Sequence, residues 1–195
     1  MTRIIGVILA GGESQRFGSQ KAFAIYRGKP FFDYAFEALK ANVHDIMIVS
    51  HPKLTERFSH YCASVVEDDE DVRGKGPLAG LYTVMNCAQA EWYFILPCDV
   101  PKINAEIVQN IITRAKWNHE AIIPIVNGKI QPLIGMYSAI LKSRITQQLL
   151  KGNYRMLSLL EKSNVQYIAY GKGDEEYFIN VNDQRVYKKL EQRKE

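Results

Sequence analysis

Ile4-Ile5-Gly6-Val7-Ile8-Leu9-Ala10-Gly11-Gly12-Glu13-Ser14-Gln15-Arg16-Phe17-Gly18-Ser19-Gln20-Lys21 begins as an apolar, β-rich run and turns at once into a glycine loop. A continuous apolar run this short suits a strand buried on both faces, as in a parallel sheet. Ligands of open α/β sheets sit at the carboxyl ends of strands, so a glycine loop at this point faces a binding crevice. Gly11 and Gly12 remove side chains where the backbone must turn and approach a ligand. Successive N–H groups there can point at phosphate oxygens. Arg16 suits bidentate contact with phosphate, and Lys21 adds a point charge. The loop is neither a P-loop, because Gly18 is followed by Ser19-Gln20 before Lys21, nor a dinucleotide fingerprint, because the glycine spacing is wrong.

The same pattern continues along the chain. Apolar runs recur at Ile46 to Val49, Val65-Val66, Trp92 to Leu96, Ala121 to Ile125 and Val165 to Ala169. Between them, helical spacing follows Pro30 (Phe31, Phe32, Ala35, Leu39) and Pro77 (Leu78, Leu81, Val84), and recurs at Ile107 to Ile112 and Ile140 to Leu150. Strands alternating with helices predict βαβ units around a mostly parallel sheet, with right-handed crossovers placing helices on both faces. No repeat or linker interrupts the chain. A soft change of character near Asn127-Gly128 predicts one domain, 1–195, with a nucleotide-binding lobe over about 1–126 and an acceptor-binding lobe over about 127–195.

Two further stretches carry chemistry. Leu96-Pro97-Cys98-Asp99-Val100-Pro101 ends a buried strand, so Asp99 would face the crevice of the glycine loop and could hold Mg²⁺ with phosphate oxygens. Taken alone, Asp99 reads better as a turn or helix-capping residue before Pro101. Asp68 lies in the acidic run Glu67-Asp68-Asp69-Glu70-Asp71, a solvated loop of which one member can touch the base, the ribose or the metal. In Gly74-Lys75-Gly76-Pro77-Leu78-Ala79-Gly80-Leu81, Pro77 suits a helix start and Gly80 permits close approach of another backbone.

Taken together, Leu-Ala-Gly-Gly-x-Ser-x-Arg-Phe-Gly-x-x-Lys resembles the signature of the sugar-nucleotide and cofactor nucleotidyltransferases. Gly76-Pro77-Leu78-Ala79-Gly80, Pro97-Cys98-Asp99-Val100-Pro101, Gln131-Pro132-Leu133 and Asn180-Val181-Asn182 narrow the resemblance to the molybdenum cofactor guanylyltransferases, over nearly the whole chain. The resemblance implies a Rossmann-like three-layer αβα sandwich with a mostly parallel mixed central sheet. It implies transfer of GMP from GTP to the terminal phosphate of Mo-molybdopterin, with Mg²⁺ as cofactor. It further implies nucleotide contacts from Leu9, Ala10, Gly11 and Asp68, triphosphate binding by Lys21, and metal and nucleotide binding by Asp99. Asn180 and Asn182 would bind the acceptor from the shared crevice, near the pterin side or the metal, and Gln131 and Pro132 would shape the acceptor lobe. Proteins that deliver molybdopterin and proteins that mature molybdoenzymes are the implied partners. The sequence departs from the family at Gln20, where Asp commonly precedes the loop lysine, and at Asp183, where Thr is usual and Asp can still cap a helix. A cytidylyl- or sugar-phosphate nucleotidyltransferase, or a non-catalytic nucleotide-binding protein, would share the loop.

Composition sets the outer limits. The 195 residues carry 25 Lys and Arg against 21 Asp and Glu, a net charge of +4. Much of the excess sits in Arg185, Lys188, Lys189, Arg193 and Lys194, the solvated face of a terminal helix without the aromatics of a nucleic-acid surface. Three widely spaced cysteines make neither a zinc pattern nor a disulfide framework. The apolar start is too short to cross a bilayer. A cytoplasmic enzyme, bound to neither membrane nor nucleic acid, is expected.

Overall fold

A computed structural model describes residues 2–11, 20–68 and 70–192. An eight-stranded sheet runs through both halves of the chain. Its strands are β1 (Ile4–Leu9), β4 (Asp45–Ser50), β5 (Ser64–Glu67), β6 (Trp92–Pro97), β7 (Ala121–Val126), β8 (Lys129–Ile130), β9 (Gly135–Ser138) and β10 (Val165–Tyr170). The order is β10-β7-β9-β6-β1-β4-β5, with β8 paired to β7. A separate hairpin is formed by β2 (Ile25–Tyr26) and β3 (Lys29–Pro30). β1 pairs in parallel with both β4 and β6, β4 with β5, and β7 with β10. The mixed character comes from β9, which lies antiparallel between β6 and β7. β5, β4, β1, β6, β7 and β10 therefore all end at one edge of the sheet.

Period-two alternation sends each central strand into two cores. Ile4 and Ile8 join Ile46, Ile48, Phe94 and Leu96 on one face, covered by α1 (Phe31–Lys40) and α3 (Ala105–Thr113). Ile5 and Val7 join Met47, Val49, Tyr93 and Ile95 on the other, covered by α2 (Pro77–Cys87), α4 (Lys142–Leu150) and α5 (Met156–Leu160). This is the three-layer αβα sandwich expected from the sequence. All six apolar runs read as strands are strands. The final helix, α6 (Gln184–Gln192), packs Leu190 into a third small core with Tyr26, Phe31 and Val181. Asp183 caps it, its Oδ1 accepting from the Val186 N–H at 2.9 Å.

Some local expectations are redrawn. The helical spacing of Ile140 to Leu150 divides into a 3-10 turn, Ala139–Leu141, and α4, and it leaves Ile140 and Leu150 in solvent while Ile145 and Leu149 enter the core. β9 lies where no apolar run marks a strand. No helix among the described residues is long and apolar enough to cross a membrane.

Candidate active site

Three strand ends are stitched together at the top of the sheet. The Ala10 N–H donates to the Val49 carbonyl at 2.8 Å, and the Cys98 N–H donates to the Leu9 carbonyl at 3.2 Å. Gly11 lies against the end of β4, where an added Cβ would meet His51 N and Ser50 C at 3.6 Å. Leu9, Ala10 and Gly11 thus sit at the strand ends next to Cys98 and Asp99. Gly12 and Arg16 lie outside the described residues.

Lys21 opens a 3-10 turn, Lys21–Phe23, whose far end is clamped. Phe23 stacks on Phe58 with centroids 5.1 Å apart, and the Arg57 guanidinium lies 3.4 Å from the Phe23 centroid. From this anchor the Lys21 amine donates to Asp99 Oδ2 at 2.5 Å and to Asn182 Oδ1 at 3.0 Å. The two side chains of the ion pair are only 17% and 10% exposed, so their attraction is little screened. Asp99 follows β6 in a turn and caps no helix; Asn104 caps α3 instead, accepting from the Ile107 N–H at 3.0 Å. The Asp99 carbonyl accepts from the Val181 N–H at 2.8 Å, which draws the Asn180-Val181-Asn182 segment onto the end of β6.

Two oxygens in this cluster are buried without a hydrogen-bond partner among the described residues: Asp99 Oδ1 and Asn180 Oδ1. An unpaired buried acceptor is costly, and more so on a carboxylate. Asp68, beyond β5, repeats the theme. Its Oδ2 accepts from the Gly74 N–H at 3.4 Å, while Oδ1 is buried and has no partner among the described residues. Burial raises the Asp68 pKa, and the Gly74 N–H and the Arg73 charge only partly oppose this. Cys98 is wholly buried beside Asp99. Burial first, and then the neighbouring carboxylate, push its thiol up, so it stays protonated and is no nucleophile.

The residues expected on the acceptor side divide. Asn182 accepts from Lys21 at the Asp99 end of the crevice. Gln131 is half-exposed, with its amide donating to the Lys129 carbonyl at 3.4 Å. The Pro132 carbonyl is turned inward to accept from the Tyr137 hydroxyl at 2.5 Å. The histidine nearest the loop is engaged locally: His51 Nδ1 accepts from the Lys53 N–H and caps the 3-10 helix Pro52–Phe58. What periodicity and motifs missed is the set Lys129, Lys172 and Glu175 around an open cavity, residues too far apart in sequence to form a motif.

The MobA-like NTP transferase domain family matches residues 6–167. A probable molybdenum cofactor guanylyltransferase of Geobacillus sp. (strain WCH70) is 45% identical over 185 residues, covering 93% of this chain and 95% of that protein. Another, from Bacillus cytotoxicus, is 37% identical over 196 residues, with 97% of each covered. Among solved structures, molybdopterin-guanine dinucleotide biosynthesis protein A from Archaeoglobus fulgidus shares the fold, with a TM-score of 0.79 at 22% identity over 96% of both chains. Sequence and fold thus agree that this chain belongs to the molybdenum cofactor guanylyltransferases, a family of MobA-like nucleotidyltransferases.

Proposed function

We propose that this chain transfers GMP from GTP to the terminal phosphate of Mo-molybdopterin, giving molybdopterin guanine dinucleotide and pyrophosphate. The observation that carries the reading is the buried Lys21–Asp99–Asn182 cluster at the carboxyl ends of the central parallel strands. A binding-only protein has no need of an ion pair kept dry at that point.

Nucleotide contacts are assigned to Leu9, Ala10, Gly11 and Asp68, on the β1–β4–β5 side of Asp99, and to Gly12, which lies outside the described residues. The orphaned Asp68 Oδ1 suits a donor on the base or ribose. Arg16 and Lys21 carry the positive charge that a triphosphate needs, and Lys21 transfers its contact from Asp99 to phosphate oxygens when GTP enters. Asp99 Oδ1, buried and unpaired, fits Mg²⁺, which takes one or two carboxylate oxygens and completes its shell with phosphate oxygens and water. Asp99 would hold the ion. When bound, it supplies charge neutralisation on the phosphates.

The acceptor phosphate oxygen attacks the α-phosphorus in line, a new P–O bond forms, and the bond to the bridging oxygen breaks as pyrophosphate leaves. The attacking oxygen is already ionised at neutral pH, so positioning and charge neutralisation, not a strong base, set the rate. We place the reaction in the cytoplasm, where the three free thiols Cys62, Cys87 and Cys98 stay reduced. Proteins that hand over molybdopterin and receive the dinucleotide would meet the enzyme there.

The test is pyrophosphate release in Mg²⁺ with GTP, CTP or ATP, with and without Mo-molybdopterin. Release is expected with GTP only when the pterin is present. Release with CTP instead would change the product, and none with any nucleotide would refute the transferase reading.

A further inference from the structure

An open cavity of about 440 Å³ lies at the ends of β7 and β10, with Val126, Lys129, Lys172, Glu175, Glu176 and Phe178 in its lining. β6, β7 and β10 run parallel, so it shares the sheet edge of Asp99, on the side away from β1, β4 and β5. Its wall continues into the site. Ile179, also in the lining, is two residues from Val181, whose N–H holds the Asp99 carbonyl at 2.8 Å. At about 3.5 Å per residue, that is a step shorter than a small-molecule substrate. An ion pair between Lys102 and Glu176 ties the same wall to the loop after Asp99.

The lining sorts by chemistry. Val126 and Phe178 are apolar, Lys129 and Lys172 are cationic, and Glu176 is engaged by Lys102. Glu175 is exposed and has no salt-bridge partner among the described residues. A 2-amino-4-oxopyrimidine ring presents a ring N–H beside an exocyclic amine. A carboxylate accepts such a fork with both oxygens. Apolar surface suits the flat ring, lysines suit an anionic substituent, and the volume falls in the range of sites for one small molecule, roughly 300–1,000 Å³.

Building on the guanylyltransferase reading, we propose that this cavity seats the pterin end of the acceptor, with Glu175 accepting from the pterin fork and Lys129 and Lys172 flanking its anionic part. The acceptor then lies along residues 179–182, with its terminal phosphate toward Asp99 and Lys21. Guanine presents the same fork. Pterin is the assigned occupant because Gly11 and Asp68, the nucleotide side, lie across Asp99 from the cavity.

The experiment measures equilibrium binding of molybdopterin and, separately, of GTP to the full chain and to Glu175→Gln, Lys129→Ala and Lys172→Ala. All three side chains are exposed, and unchanged thermal midpoints check that the fold is intact. Each variant is expected to weaken molybdopterin binding, Glu175→Gln by about tenfold or more, while GTP affinity holds. Unchanged molybdopterin affinity in all three overturns the proposal. A loss of GTP affinity in Glu175→Gln with molybdopterin unaffected also overturns it, and gives the cavity to guanine. Pyrophosphate release by the parent chain reports on the transferase reading separately, so the cavity assignment can fail while that reading stands.

Discussion

Lys21 and Asp99 neutralise each other in a pocket from which water is largely excluded, and the proposed reaction gives each a second partner. Removing one leaves the other charged and buried. Lys21→Met should therefore cost about 3–5 kcal/mol of stability by urea denaturation. The same change frees both Asp99 oxygens, so Mg²⁺ alone should raise the variant's midpoint. A midpoint indifferent to Mg²⁺ would take Asp99 out of the metal site. Asp68 behaves differently. Its carboxyl holds a proton more tightly folded than unfolded, so its contribution is fully present below the ordinary value of 3.8 and is lost as pH rises through the raised folded value. Asp68→Asn should be more stable than the parent at pH 7, with the advantage shrinking towards pH 3.8, and it should bind GTP more weakly. Equal urea midpoints at pH 7 would remove the burial penalty assigned to Asp68.

Among the elements, two glycines show how tightly the sheet is covered. Gly80 faces β1 and β4 from α2, where an added Cβ would meet Leu9 Cδ2 at 2.9 Å and Val49 Cγ1 at 3.3 Å. Both are ends of side chains and can give way, and alanine favours the helix by about 1 kcal/mol. Gly80→Ala should cost no more than about 2 kcal/mol. Gly135 opens β9 at φ +148°, where a Cβ would lie 2.5 Å from the Ile122 carbonyl oxygen of β7. Backbone cannot step aside without breaking the ladder, so Gly135→Ala should cost about 4 kcal/mol or more. Thermal melts of the two variants should differ widely, and similar melts would count against this account of how β9 is seated. At Gly80 the sequence predicts close approach of another backbone, whereas the atoms that meet it are the side chains of Leu9 and Val49. β9 was not legible in the sequence, because Gly135 to Ser138 lacks an apolar run and earns its place only by pairing with β6 and β7 on both sides.

Over the whole molecule, residues near the two ends of the chain meet at one point. Val181 is fully buried with Tyr26, Phe31 and Leu190, its N–H holds the Asp99 carbonyl, and its neighbour Asn182 holds Lys21. The third small core thus holds Asp99 through the backbone of Val181 and Lys21 through the side chain of Asn182. Val181→Ala should cost roughly 2 kcal/mol of stability and should lower kcat more than it raises KM for GTP. A variant destabilised to that degree with unchanged kcat would separate the small core from catalysis.

The sequence by itself determined the parallel strands, the glycine turn at the end of β1 and the carboxylate at the end of β6. These are local signals: apolar periodicity, glycine placement, and an acid where a buried strand stops. It also marked Asn180 and Asn182, as crevice residues near the pterin or the metal. Only the tertiary structure decided that Asn182 shares Lys21 with Asp99, that Asp99 Oδ1 is left without a partner, and that Lys129, Lys172 and Glu175 face one cavity. Those facts depend on chain crossovers that bring together residues up to 161 positions apart. Periodicity reports which face of an element is buried, and carries no record of which distant side chain will be buried against it.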